Sequence, residues 1–135
     1  MKNILILFFQ IIVINISGQR IITSFKNILP VEDYKNIHVK KLSSNLNATT
    51  FAIWIKKSVR LHKHMQHVEN VYITEGSGEF QLGDSVYKVK IGDLIIIPKN
   101  TWHGLKVNSK EPMKVISIQS PEFKGIDRIF KERED

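Results

Sequence analysis

No cysteine occurs in the 135 residues of this chain. That excludes disulfides, thiolate metal ligands and a lipid-modified N-terminal cysteine. Any bound metal must be held by imidazole and carboxylate groups. Long runs of like charge are missing too. The formal net charge is +7, yet the lysines are scattered and cluster no further than doublets such as Lys40-Lys41 and Lys56-Lys57. A solvated basic surface fits this pattern, and a nucleic-acid interface, which needs a basic stripe or patch, does not. Amphipathic helical periodicity is also absent, apart from a short stretch at Lys124–Glu134 that could form one terminal turn or helix.

One long apolar run is present, at the start. Lys2 precedes Ile4–Ile16, interrupted only by Gln10 and Asn15, and Ser17-Gly18-Gln19 follows. A positive start, an apolar run of about 13 residues and small residues at its end describe a secretory signal peptide. As a helix the run reaches roughly 20 Å, short of the ~30 Å hydrocarbon core. The sequence thus predicts a signal peptide over residues 1–18, export to the periplasm or cell exterior, and no stable membrane insertion after cleavage. An uncleaved anchor and a buried helix are the alternatives. The remaining 117 residues carry 19 basic and 13 acidic side chains, a net charge near +6. That length can bury a core without covalent staples. Residues 19–36, with Pro30 and Glu32-Asp33, are expected to form an N-terminal arm, residues 37–122 a β domain and residues 123–135 a tail.

Within the β domain, short β-prone segments alternate with turn residues. Thr49–Lys57 alternates, with Phe51, Ile53 and Ile55 on one face and Ala52, Trp54 and Lys56 on the other. Strands are further expected at Ile37–Leu42, Val59–His64, Val68–Thr74, Glu79–Leu82, Ser85–Val89, Leu94–Pro98, Trp102–Val107 and Met113–Ile118. Gly76-Ser77-Gly78 is expected to close a tight hairpin between two of them. The apolar run Leu94–Pro98 predicts a strand buried on both faces. Many short strands at close spacing predict an all-β sandwich or barrel.

His62 and His64 are two residues apart, so on a strand both point to one side. Glu69 can rejoin that face from the next strand, and His103 arrives after Pro98 at the start of a later one. This collects three imidazoles and a carboxylate. A zinc site of His62, His64 and His67 is an alternative, disfavoured because His67 is an odd number of residues from His64.

The pattern His62-x-His64-x4-Glu69-x6-Gly76, followed by Gly92-x5-Pro98-x4-His103, resembles the two motifs of the cupin superfamily. The resemblance covers roughly Thr49–Ile118. It implies a small jelly-roll barrel in which His62, His64, Glu69 and His103 hold a divalent metal. Three turn positions depart from the family pattern: Lys56 and Asn100 stand where glycine is usual, and Val107 where asparagine is. All four ligand positions remain. Asparagine tolerates a left-handed backbone better than most residues, so Asn100 is a mild change.

Such ligands suit Fe(II), Mn(II), Ni(II), Cu(II) or Zn(II). A six-coordinate ion would keep two positions open, whereas tetrahedral zinc would be closed and structural. The reading favoured slightly is dioxygenase-like chemistry on a small molecule. The alternatives are a metal-dependent isomerase or lyase, a non-enzymatic module that captures a small ligand, and a purely structural barrel, with or without metal. If Glu69 left the metal it could serve as a catalytic base. Strand parity puts Arg60 beside His62, where it could bind a substrate carboxylate. Phe51, Ile53, Val71 and Ile73 are candidate lining. His38 is read as an ordinary surface or core residue. Trp102 is expected to pack outward against a strand or a second subunit, and the resemblance implies a homodimer.

Overall fold

The computed structural model describes residues 22–132, and the expected signal peptide lies outside them. A short 3-10 turn (Phe25–Asn27) precedes ten strands: β1 (Ile37–Asn45), β2 (Ala48–Ile55), β3 (Ser58–Lys63), β4 (Val68–Glu75), β5 (Ser77–Leu82), β6 (Ser85–Lys90), β7 (Leu94–Ile97), β8 (His103–Val107), β9 (Met113–Ser120) and β10 (Ile129–Phe130). They form two five-stranded antiparallel sheets, ordered β1-β2-β9-β4-β7 and β10-β3-β8-β5-β6. The inward faces pack on each other through Ile55, Val71, Ile73, Phe80, Ile97, Leu105 and Val115. No helix among the described residues is long and apolar enough to cross a membrane.

Four local expectations are corrected by the packing. Gly76-Ser77-Gly78 closes no hairpin, because β4 and β5 lie in different sheets and β5 pairs with β6 and β8. Gly76, at φ +84°, carries the chain around the corner against β9, where an added Cβ would stand 2.8 Å from the Met113 Cα. Strand β7 is an edge, not a doubly buried strand. Ile95 and Ile97 point inward, while Leu94 and Ile96 are each 59% exposed. The stretch Ser43–Asn47, read as a loop, mostly extends β1, whose turn to β2 is only Leu46-Asn47. The C-terminal stretch is not helical: Ile129 and Phe130 pair with Lys63 and His62.

The outer face of β2 and β9 is covered by the N-terminal arm. Lys114, 2% exposed, donates from Nζ to the Phe25 carbonyl at 2.9 Å and sits over the Phe25 ring at 4.6 Å. Trp54 lies beneath it, with Lys114 Nζ 5.5 Å from its ring. This cover explains why Phe51 and Trp54, on opposite faces of β2, are both buried. A lysine stem packs like an aliphatic chain while its ammonium reaches the surrounding oxygens. His38 is half-buried between Tyr34 and Trp54, at ring distances of 5.8 and 5.5 Å.

Candidate metal centre

The four candidate ligands are set by three local devices. Strand β3 carries His62, and His64 follows at its end. Strand β4 begins one residue before Glu69, which pairs with Gln119 of β9 and Ile97 of β7. His103 opens β8 opposite His62. The loop before it is turned by Asn100 at φ +57°, the left-handed conformation that asparagine tolerates. The Asn100 N–H donates to the His64 carbonyl at 2.6 Å, tying that loop to the end of β3.

These placements bring His62, His64, Glu69 and His103 together, with one donor atom from each within 4.8 Å of the others. All four are buried. The Nδ1 of His62 faces the Arg60 carbonyl at 2.7 Å, that of His103 the Thr101 carbonyl at 2.9 Å, and that of His64 the Asp127 carbonyl. A carbonyl only accepts, so each Nδ1 carries the proton and each Nε2 of a neutral ring presents a lone pair. The Nε2 atoms of His64 and His103 are buried with no hydrogen-bond partner. They stand 3.5 and 3.3 Å from the Glu69 Oε2. Two donors each about 2.1 Å from one ion, at tetrahedral or octahedral angles, stand about 3.0–3.4 Å apart. The residues therefore fit a divalent cation, which would turn a repulsive meeting of lone pairs into a shared attraction.

Glu69 is fixed from behind. Its Oε1 accepts from the Ser117 hydroxyl and from the Gln119 Nε2, the latter at 3.2 Å. Burial alone would raise the Glu69 carboxyl. The Ser117 hydroxyl opposes it, and so do the His103 and His64 rings whenever their Nε2 carries a proton; with those donors the carboxyl lies well below the usual carboxylate range. A carboxylate held ionised in this way can meet a cation without first losing a proton, and it is a poor proton acceptor near neutral pH. Burial, followed by the neighbouring His103, pushes His62 down from 6.5 to about 4. The neutral ring is thus the form the fold prefers. Its contribution to the metal-free protein is complete above pH 6.5 and erodes as pH falls toward about 4, a loss of up to about 3 kcal/mol. Urea midpoints of wild type and His62→Phe between pH 7 and pH 4 check this: the wild type should fall more steeply.

His67 stays outside the four-residue group. It is buried beside His64, ring centroids 6.1 Å apart, but both of its nitrogens face oxygens: Nδ1 the Asp127 carboxylate, Nε2 the Glu122 carbonyl at 3.0 Å. Both nitrogens are thus engaged away from the four-residue centre, and His67 groups instead with His64 and Asp127. Asp127 also accepts from the backbone N–H groups of Met65, Gln66 and His67 at 3.0, 2.8 and 3.2 Å. Its carboxyl is pushed up by burial but pulled down further by His67 and by those N–H groups, ending below its ordinary value. Sequence reasoning missed this clasp. Nothing local marks it, because 60 residues separate Asp127 from His67.

Arg60 does not reach the interior. It is exposed, donates weakly to the Lys131 carbonyl at 3.4 Å and lies over the Phe130 ring at 4.8 Å. The cause is a register shift in β3: Val59 pairs with Leu105 but His62 with His103, so β3 holds one extra residue and the parity changes before His62. Gly104 lets that irregular strand approach, since an added Cβ would meet the Val59 carbonyl at 3.1 Å. Between the sheets lies a cavity of about 90 Å³. Its walls include Ile53, Val71 and Ile73, as expected, whereas Phe51 instead packs edge-on against Phe123. Its polar end is His62, Glu69 and His103. Trp102 is half-buried, with Lys63 Nζ 4.8 Å from its ring.

The family model for the cupin domain matches residues 51–119, which span both ligand-bearing segments and the strands between them. The chain is a cupin. A protein of Aquifex aeolicus is 33% identical to this cupin over 95 residues, covering 70% of the chain and 78% of that protein. The L-ectoine synthase of Vibrio campbellii is 24% identical over 98 residues, covering 71% of the chain and 77% of the synthase. Among solved structures, a conserved double-stranded β-helix protein of Klebsiella pneumoniae superposes with a TM-score of 0.70. The match has 17% identity and covers 86% of this cupin and all of that chain. At that identity the likeness shows the fold alone.

Proposed function

We propose that this protein is an exported, metal-dependent cupin that acts on a small molecule inside its barrel. The observation that carries the reading is the convergence of the His64 and His103 Nε2 lone pairs, both unpartnered and buried, on the Glu69 carboxylate. His62, His64, Glu69 and His103 would hold a divalent transition ion such as Fe(II), Mn(II), Ni(II) or Zn(II). Bound there, the ion would supply Lewis-acid polarisation of a substrate oxygen or, as iron, dioxygen chemistry. The backbone carbonyls at residues 60, 101 and 127 orient the imidazoles. Ser117 and Gln119 orient the carboxylate, and the apolar walls exclude water. Glu69 acts as ligand in this reading; a role as base would require it to leave the ion. A dioxygenase is one reaction class to test and a metal-dependent isomerase or lyase another; a named relative matched over most of its length, an L-ectoine synthase, supports turnover of a small molecule. A module that binds without turnover is the remaining reading. Metal analysis of the purified protein, followed by Co(II) titration of the stripped form, tests the centre. One ion per chain with a perturbed visible spectrum is expected, and failure to bind any ion above micromolar affinity rejects it. Substrate-dependent oxygen uptake separates the reaction classes.

Export rests on the pattern of residues 1–18 and is tested by N-terminal sequencing of the secreted protein, with cleavage expected after Gly18. A homodimer is supported by the outer face of β9-β4-β7. There Tyr72 pairs with Leu94, and Asn70 lies between Ile96 and Ile118. Tyr72, Leu94, Ile96 and Ile118 are 43%, 59%, 59% and 39% exposed, a group of large apolar side chains set around Asn70 on neighbouring strands. Ile96→Lys is expected to convert the dimer to a monomer by light scattering. A wild type that is already monomeric at 100 μM or so removes this reading.

A further inference from the structure

The cavity beside the proposed metal centre constrains the ligand that would meet the ion, so its chemistry is inferred here on the strength of that centre. At about 90 Å³ the cavity is smaller than the ~150 Å³ apolar void that holds benzene, so it accepts a body of only a few heavy atoms. Its walls are apolar, Phe80 included, apart from the metal-centre residues and Arg128. Of the side chains that line it, only Ile37, Val39 and Arg128 are exposed to solvent. Arg128 is the single fixed cation among the lining residues. Its guanidinium pairs with no carboxylate among the described residues and lies over the Phe123 ring at 5.7 Å. The backbone that carries it is held in place: Asp127, its neighbour, is clasped to Met65–His67, and the Asp127 carbonyl accepts from His64. The peptide that presents the guanidinium is therefore hydrogen-bonded to a candidate ligand of the metal. Arg128 and His62 line the same cavity, which puts the cation within the space that the centre borders.

We propose that the cavity selects a small organic carboxylate, with its short aliphatic body between the sheets and its anionic head between Arg128 and the centre. Arg128 is then the specificity-determining residue. A guanidinium binds a carboxylate through two parallel N–H donors, and a neutral amide of the same shape forfeits the charge assistance. Discrimination of roughly tenfold or more between the two is the consequence.

Isobutyrate and isobutyramide, which share shape and differ in charge, are the probes. Each is titrated into the full chain, metal-free by calorimetry and Co(II)-loaded by visible spectroscopy. Isobutyrate should bind at least about tenfold more tightly than isobutyramide. Arg128→Gln should abolish that preference without altering Co(II) stoichiometry, Arg128→Lys should retain part of it, and Lys40→Gln, a surface charge on β1, should leave it intact. Equal affinities in the wild type, no binding of isobutyrate in either form, or a preference that survives Arg128→Gln overturns the inference. A wild type that prefers isobutyrate yet takes up no Co(II) supports the anion site while rejecting the metal centre. If Arg128→Gln fails to fold, Arg128→Lys decides in its place: a preference measured in the metal-free form that Arg128→Lys leaves undiminished overturns the role of Arg128.

Discussion

Replacing Glu69 with glutamine is expected to abolish metal binding while leaving the metal-free fold as stable as the wild type or slightly more so. The side chain keeps its shape, and its surroundings dictate how the amide sits. Ser117 and Gln119 both donate to the Oε1 position, so the amide carbonyl must face them. The amide nitrogen then points at the His64 and His103 Nε2 atoms, now 3.5 and 3.3 Å from Oε2, and supplies protons to two lone pairs that have none. Two buried acceptors gain donors, worth about 1 kcal/mol net. The same protons occupy the space a cation would take, and the one anionic ligand is gone. Loss of affinity should exceed the roughly ten- to hundredfold typical of disturbing an outer-sphere partner. Co(II) titration and urea unfolding of the stripped protein, measured side by side, read the two effects. Wild-type-like Co(II) affinity in Glu69→Gln would sink the ligand assignment. A collapse of the metal-free fold would mean that Glu69 is structural instead.

Replacing Asp127 with alanine is expected to cost about 3 kcal/mol or more of stability and to weaken metal binding ten- to hundredfold. The carboxylate serves three backbone N–H groups and the His67 ring at once. Alanine leaves the N–H and ring of the buried His67 without that acceptor, whereas the Met65 and Gln66 N–H groups sit in an exposed turn and can meet water; hydrogen bonds to a charged acceptor are among the stronger ones. The second effect is indirect. The Asp127 carbonyl orients His64 through Nδ1, so a loosened C-terminal segment lets that ring turn its lone pair away from the centre. Asp127→Asn keeps the shape but offers one oxygen in place of two, and should fall between alanine and wild type. The pH dependence has a defined sign. The folded-state carboxyl lies below its ordinary value, so its contribution is present above the ordinary carboxylate pKa near 4 and is lost as pH falls below it. Asp127→Ala should therefore lose less stability than wild type on acidification below that point. Equal acid sensitivity, with unchanged Co(II) affinity, would reduce the clasp to an incidental contact.

Particular residues show where local reading succeeds. The two-residue spacing of His62 and His64, the acid at 69 and the Gly92–Pro98–His103 segment carry their meaning within short stretches, because strand parity and turn chemistry act over a few residues. Most strands were legible for the same reason: alternation, as in Phe51–Ile55, is a local consequence of one buried face. Arg60 shows where it fails. A single extra residue in β3 changes which side the chain presents, and no residue type in Val59–His62 announces it. Gly76-Ser77-Gly78 has the composition of a hairpin but turns a corner between sheets, since sheet membership depends on partners elsewhere. Leu94 and Ile96 look like core and form an exposed edge face, a surface the proposed second copy would cover.

The sequence by itself determined an all-β domain of the cupin family and the four side chains that face one another in it, since each of those features is encoded within a strand or a turn. Only the tertiary structure decided which arginine borders the cavity, what anchors the C-terminal segment, and which carbonyls fix the imidazole tautomers. Those depend on contacts such as His64 with the Asp127 carbonyl, 63 positions away, and the pairing of Phe130 with His62, 68 positions apart (130 − 62). Contacts at that separation leave no periodicity or spacing in the sequence to be read.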